Sequence, residues 1–279
     1  RATIVLGPAA SGKTTMMHRL FVEQAEKAKE CGNADDIVAP YIIRVAELAK
    51  WLNGRQVTGD LDVSTLHNFL QHQHGGPGAP LVTELIKLLD GSRLTLLFDG
   101  LDEAGEKQKG SISRFIGNTL RSHFDGAIVV TSRESLFVGT DFKSNFDLVQ
   151  IQPLSKELQQ QIVELRFTEA EVEFKNRFFE ESASLPEEML DNPLLLTMLI
   201  GVFKREGRLS RTRSDLYEQG IQQLVLGRHA EPQVPEIVDF LRSLGHLVHV
   251  ELKKRDFTES EVQQHLGQRS KLLTLYSRA

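Results

Sequence analysis

One octapeptide, Gly7-Pro8-Ala9-Ala10-Ser11-Gly12-Lys13-Thr14, constrains this chain more than any other stretch of it. It sits between an apolar run, "ATIVL" at residues 2–6, and an apolar-periodic segment from about Lys13 to Glu30. The spacing predicts a short buried strand, a tight loop and a helix. Glycines and small residues let the loop backbone curl so that successive N–H groups point inward, and the helix start adds the positive end of its dipole. A phosphate is the guest such a cradle suits. The match to G-x-x-x-x-G-K-[ST] in strand–loop–helix context predicts that Gly7 to Thr15 wrap a nucleotide's phosphates. Lys13 reaches the β- and γ-phosphates, and the Thr14 hydroxyl coordinates Mg²⁺. Pro8 has no N–H, so the cradle falls to residues 9 to 15.

A second stretch complements the first. "LTLLFDGLDEAGEK", residues 94 to 107, carries three acids, Asp99, Asp102 and Glu103, directly off an apolar strand. Burying unpaired charge is costly, so the pattern implies either an open strand end or a waiting cation. An acid ending a strand beside a phosphate loop is the usual second holder of Mg²⁺, and Asp99 takes that part. The acids are then expected to lose solvation only when Mg²⁺-nucleotide arrives.

Elsewhere, residues 41–45 read as a strand, 71–80 as a Gly/Pro/His loop, and 81–91 as a helix stopped by Gly91. A helix around 111–123, a strand at 127–133 and a fifth strand within 146–155, ended by Pro153, complete the first half. Strands alternating with helices imply a parallel five-stranded sheet covered on both faces. After Leu154 every strong period is helical, with breaks at Pro186, Pro193, Gly207, Gly227, Pro232 and Pro235. The expected organisation is an α/β core (1–155), a helical domain (156–230) and a further helical part (231–279). The chain begins at Arg1 with a strand under way and no initiator methionine, and so reads as a segment of a longer protein.

Bulk composition excludes more than it identifies. With 40% hydrophobic and 25% charged residues, a net charge of −5 and a pI of about 6.0, the chain shows no strong pull toward nucleic acid. No apolar run is long enough to span a bilayer. The single cysteine, Cys31, excludes an internal disulfide, fits a reducing cytoplasmic compartment, and reads as an incidental surface thiol. His67, His72 and His74 lack the spacing of a zinc site and read as a solvated loop.

The residues after Asp99 sharpen the class. "FDGLDE" at 98–103 resembles the Walker B box of NACHT domains, the STAND-class P-loop NTPases of NOD-like receptors and bacterial defence proteins. By that resemblance Asp102 orients the attacking water, and Glu103 assists it or bonds the next strand. "IVVTSR" (128–133) is similar to the family's sensor 1 strand, which would place Arg133 at the γ-phosphate; an ordinary surface pairing with Glu134 or Asp125 is the other reading. "DNPLLLTML" (191–199) resembles a motif whose proline, here Pro193, packs on adenine; Pro193 equally suits the first position of a helix. "PYIIRVAELAKWL" (40–52) and "RTRSDLYEQGIQQLV" (211–225) also resemble family segments; Arg44 could cap a helix, Ser214 reads as an N-cap, and 255–267 resembles the start of a winged-helix region.

The resemblance implies a Mg²⁺-dependent ATP/ADP switch that hydrolyses slowly, with nucleotide state controlling conformation and self-association. It further implies fused effector and sensor domains outside this segment and a part in immune, defence or cell-death signalling. A turnover ATPase of the AAA+ motor kind is the alternative, but it would carry a glutamate where this chain has Gly100. A small-molecule kinase would need an acceptor lid within the α/β core.

Overall fold

The computed structural model describes residues 1–57, 60–134, 141–142, 145–226, 234–251 and 259–267. The chain forms two compact units, one of residues 1–154 with 192–194 and the other of 155–191 with 195–279. The expected breaks at Gly227 and Pro232, and parts of the expected winged-helix start, lie outside the described residues.

The first unit runs β1 (Ala2–Leu6), α1 (Lys13–Glu30), β2 (Ala39–Arg44), α2 (Val45–Gly54), α3 (Val63–Gln73), α4 (Pro80–Asp90), β3 (Leu94–Asp99), α5 (Gly105–Arg114), α6 (Arg121–His123), β4 (Ala127–Ser132) and β5 (Asp147–Gln150). All strand pairs are parallel, in the order β2-β3-β4-β1-β5. β3 is apolar because it is covered on both faces: Leu94, Leu96, Leu97 and Phe98 have no exposed surface. β5, at one edge, is exposed along its whole length. β2 holds the other edge. The Ala39 N–H donates to Arg93 O at 3.0 Å, toward β3. Alternation along the strand therefore turns Pro40, Ile42 and Arg44 outward, so the residue lacking an N–H faces the open edge.

Several boundaries differ from expectation, each for a local reason. Val45 belongs to α2, not to the second strand, and α2 buries Leu48, Ala49, Trp51 and Leu52. The stretch at 71–80 is not all loop: residues 71–73 end α3, whose Asp62 cap accepts the Thr65 N–H at 3.0 Å, and Pro80 opens α4. The left-handed residue closing α4 is Ser92 (φ 54°), not Gly91. Arg93 N–H bonds to Leu88 O at 2.7 Å and Ser92 N–H to Leu89 O at 2.9 Å, the paired bonds of a Schellman end. The helix expected around 111–123 starts earlier, at Gly105, and passes through a π-helical turn, Phe115–Leu120.

The second unit is helical throughout its described residues: α7 (Lys156–Arg166), α8 (Val172–Ser182), α9 (Glu187–Leu190), α10 (Pro193–Glu206, from Leu195 on), α11 (Arg213–Leu226), α12 (Val234–His246) and α13 (Glu259–Leu266). Ser214 is not the cap of α11; the Thr212 hydroxyl accepts the Asp215 N–H at 3.1 Å. In the basic stretch after α10, Arg213 pairs with Glu188 at 2.8 Å rather than standing free in solvent. An aromatic cluster holds α8 to α10: the Phe178 ring lies 5.4 Å from Phe203 and 5.8 Å from Phe167. Phe178 is buried, so Phe178→Ala should cost about 3–5 kcal/mol through lost burial and a residual cavity. Chemical denaturation with circular dichroism should register that loss as a lower midpoint.

Candidate functional site

The parallel sheet brings the C-terminal ends of β1, β3 and β4 side by side, the place where open α/β sheets bind ligands. Gly7 follows β1, Asp99 ends β3, and Arg133 follows β4. The Gly7 N–H donates to Ser132 O at 3.3 Å, tying the loop's first residue to β4.

The loop is shaped by backbone constraints that the sequence meets. Gly12, the residue before α1, has φ +91°, where a side chain is strained. A Cβ on Gly7 would come within 2.7 Å of Ser11 Oγ and 3.2 Å of Ile151 Cβ, so that position has room only for hydrogen. Ala10 also takes positive φ, 62°. Helix α1 has no side-chain cap and no acid in its first turn, which leaves its positive end uncompensated. The Ser11 hydroxyl is buried without a partner. An electropositive helix start with an orphaned hydroxyl beside it fits an anionic phosphate.

Lys13 turns back over the loop. Its Nζ donates to Gly7 O at 2.8 Å and to Pro8 O at 2.7 Å. Partial burial pulls its pKa down, opposed by the charges of Asp102, Asp99 and Glu103. A phosphate would replace two carbonyl partners with a full anion.

Asp99 is held from two sides. Thr14 Oγ1 donates to Oδ2 at 2.9 Å and Thr131 Oγ1 donates to Oδ1 at 2.7 Å. Since the Thr14 proton goes to Asp99, the lone pairs of its oxygen stay available to a hard cation. Thr14 and Asp99 thus bring together oxygen donors of the kind a hard cation binds. Thr131 was not singled out from sequence; in "AIVVTSR" it reads as one more β-branched strand residue.

Asp102 and Arg133 form a pair. Asp102 Oδ2 lies 3.0 Å from Arg133 Nε, and Asp102 Oδ1 accepts the Arg133 backbone N–H at 3.1 Å. The Asp102 side chain is 4% exposed, against 40% for Arg133. Neither Glu134 nor Asp125 takes Arg133; Glu134 bonds Gln150 instead. Asp102, at least, does not wait for a cation to lose solvation, while Glu103 stays exposed. Asp102 is already buried, its charge met by Arg133. Glu103 lies next to it without an ion-pair partner of its own among the described residues. Partial burial, with Asp102 and Asp99 alongside, pushes its pKa up. Gly100, at φ +79°, lets the chain turn between the acids, and a Cβ there would come within 3.0 Å of the Glu103 carboxyl.

Pro193 is grouped with this unit through its neighbours. Asn192 Nδ2 donates to Ala9 O at 3.3 Å and Asn192 Oδ1 accepts the Leu194 N–H at 3.0 Å. Asn192, not singled out beforehand, thus connects the phosphate loop to the residue expected at the base. No group of histidine, cysteine or acidic side chains among the described residues is arranged to hold a metal by itself. His74 instead bonds the Tyr41 hydroxyl at 2.8 Å and His67 bonds Asp90 at 2.8 Å. None of the helices among the described residues is long and apolar enough to cross a membrane.

Because the folded state favours protonated Glu103, its ionised form is a cost to the fold above the raised pKa. Glu103→Gln should raise the melting temperature at pH 8, and the gain should fade as pH falls through the raised pKa and be gone below the ordinary carboxylate range. Thermal unfolding of both chains across that pH series checks the sign.

A family model for the NACHT domain matches residues 1–170. No curated protein matches the chain. Among solved structures, it is similar to a Signal Transduction ATPase with Numerous Domains (STAND) protein with a tetratricopeptide repeat sensor from Pyrococcus horikoshii. There the identity is 15% and the TM-score 0.41, over 80% of this chain and 30% of that one. It is also similar to a Walker-type ATPase of Pyrococcus abyssi, at 16% identity and a TM-score of 0.46, over 95% of this chain and 83% of that one. The Orc1 protein of Aeropyrum pernix, in complex with DNA, gives 14% and 0.46, over 98% and 72%. This chain spans about 30% of the length of the STAND protein. With the family match covering 170 of its 279 residues, the chain belongs to the NACHT domain family of P-loop NTPases.

Proposed function

We propose that this chain is a Mg²⁺-ATP-binding switch that hydrolyses slowly and whose nucleotide state sets its conformation and self-association. The observation that carries the reading is the Thr14–Asp99 hydrogen bond, which joins the phosphate loop to the acidic strand end across 85 residues of sequence. Lys13 would exchange its two loop carbonyls for phosphate oxygens, and the N–H groups at the start of α1 would hold the same phosphates. Thr14 would hold Mg²⁺, with Asp99 behind it. Bound there, the ion neutralises charge building on the phosphate oxygens.

Arg133 is placed by Asp102, so its guanidinium is oriented before nucleotide arrives and can respond to a third phosphate. In this reading Asp102 anchors Arg133, while Glu103, whose raised pKa makes its carboxylate the stronger base, receives the proton of the attacking water. Asn192 and Pro193 begin α10, which continues into the helical unit, so contact between Pro193 and the base gives nucleotide a route to that unit. Nucleotide shifts such an equilibrium only by binding two conformations unequally. Family membership further suggests defence, innate immune or cell-death signalling in the cytoplasm, with effector and sensor domains fused outside this segment.

The turnover-motor alternative is disfavoured by Gly100. A glutamate at that position would require a strained positive φ and would crowd Glu103. Lys13→Ala should weaken ATP binding about 10–100-fold, the worth of about 1.5–3 kcal/mol for a hydrogen bond to a charged group. Calorimetry with ATP, ADP and GTP reads that loss and the choice of base; equal affinity in parent and variant would exclude the reading. Steady-state turnover should stay well below 1 s⁻¹ with ADP retained, against ~1–100 s⁻¹ for kinases. A phosphate-release assay distinguishes these outcomes.

A further inference from the structure

We infer that Thr131 is the positioning residue that makes nucleotide binding depend on Mg²⁺, by fixing the Asp99 carboxylate against the Thr14 hydroxyl. The inference rests on the reading of Thr14 and Asp99 as the metal-side pair. It assigns a part to a residue that neither the loop motif nor the acidic motif contains.

The single proton of each hydroxyl fixes the pattern of bonds. Thr131 is buried, with no exposed surface. Its Oγ1 accepts the Gly100 backbone N–H at 2.9 Å. A hydroxyl has one proton, and a backbone N–H can only donate. The Thr131 proton must therefore go elsewhere, and the atom within reach is Asp99 Oδ1, at 2.7 Å. The direction of every bond is then set. Gly100 donates to Thr131, Thr131 donates to Asp99, and Thr14 donates to the other oxygen of Asp99 at 2.9 Å. Thr14 can no longer act as a donor toward the phosphates, and its lone pairs are what it offers to the site.

Strand register explains the placement. Phe98 pairs with Val130 in the parallel ladder, so Asp99 and Thr131 come next on adjacent strands. Val129 and Val130 show that a β-branched apolar residue suits this strand, and valine would fill the same volume at 131. A hydroxyl there is a desolvation cost unless both its bonds are made. In this site both are made, one to the backbone turn that carries Gly100 and one to the carboxylate. Groups that orient a metal's partners without touching the metal commonly change metal affinity 10–100-fold when removed.

The test compares the parent with Thr131→Val and Thr131→Ser, using a fluorescent ATP analogue titrated with EDTA and then with increasing Mg²⁺. Thr131→Val should bind within about twofold of the parent in EDTA, yet lose about tenfold or more of the gain that Mg²⁺ confers, while Thr131→Ser keeps that gain. A purely structural threonine would lower thermal stability and leave the Mg²⁺ gain intact, so a full gain in Thr131→Val overturns the inference. Equal loss in valine and serine variants overturns it too. Should the valine copy not fold, Thr131→Ala carries the same expected loss. A parent that binds the analogue with no Mg²⁺ gain overturns this inference alone; a parent that binds no purine triphosphate overturns the proposed function with it.

Discussion

A carboxylate at the end of a buried strand has few ways to keep its charge, and the arrangement of this nucleotide-binding unit follows from how Asp99 keeps its own. Its two oxygens are divided between hydroxyls from different elements: Thr131 on the neighbouring strand and Thr14 at the head of α1. Each bond is charge-assisted, and each reaches across the sheet or out of it. Three segments distant in sequence are thereby fixed at one point: the phosphate loop, the acidic turn and the end of β4. The glycine at 100 completes the junction by turning the chain sharply so that Asp102 and Glu103 return to the same rim.

The two remaining acids divide their surroundings unequally. Asp102 is buried and matched by the guanidinium and backbone N–H of Arg133, so its charge is spent on architecture. Glu103 has no such match and carries a raised pKa. A carboxyl whose pKa is raised by burial beside other acids is a common sign of a functional site. The Lys13 ammonium, seated on Gly7 O and Pro8 O, keeps a cation at the rim and moderates the repulsion among the three acids.

Much of this was legible in the sequence where local chemistry decides structure. β1 and β3 read correctly because strands buried on both faces are continuous apolar runs, and α1 because its period begins at the loop. β4 was placed within a residue. The start of α2 was missed because Val45 is a β-branched residue following the strand-like "YII", and only its burial in the core turns it helical. Ser92 closes α4 in the left-handed region although Gly91 stands beside it, since the bond from Arg93 to Leu88 selects the position rather than the residue type. At the site, the loop and Asp99 carry motif signals. Asp102 and Arg133 each carry a motif signal through the family resemblance, but their pairing and the part of Thr131 do not: each partner lies about thirty residues away and is brought close only by parallel pairing. Asn192 is further still, 183 residues from the loop carbonyl it bonds.

The outward-facing proline on β2 has a consequence for how copies of this domain can meet. A sheet margin grows by recruiting another extended chain, and each new rung needs a donor and an acceptor in turn. At residue 40 the nitrogen is a tertiary amide with no proton to donate, and the outward position after Ile42, Arg44, is already the last residue before α2 begins. An incoming strand would gain about one complete rung there before running out of ladder. Strand addition along that margin is thus cut short by covalent structure, in contrast to the opposite margin, where β5 is exposed along its whole length.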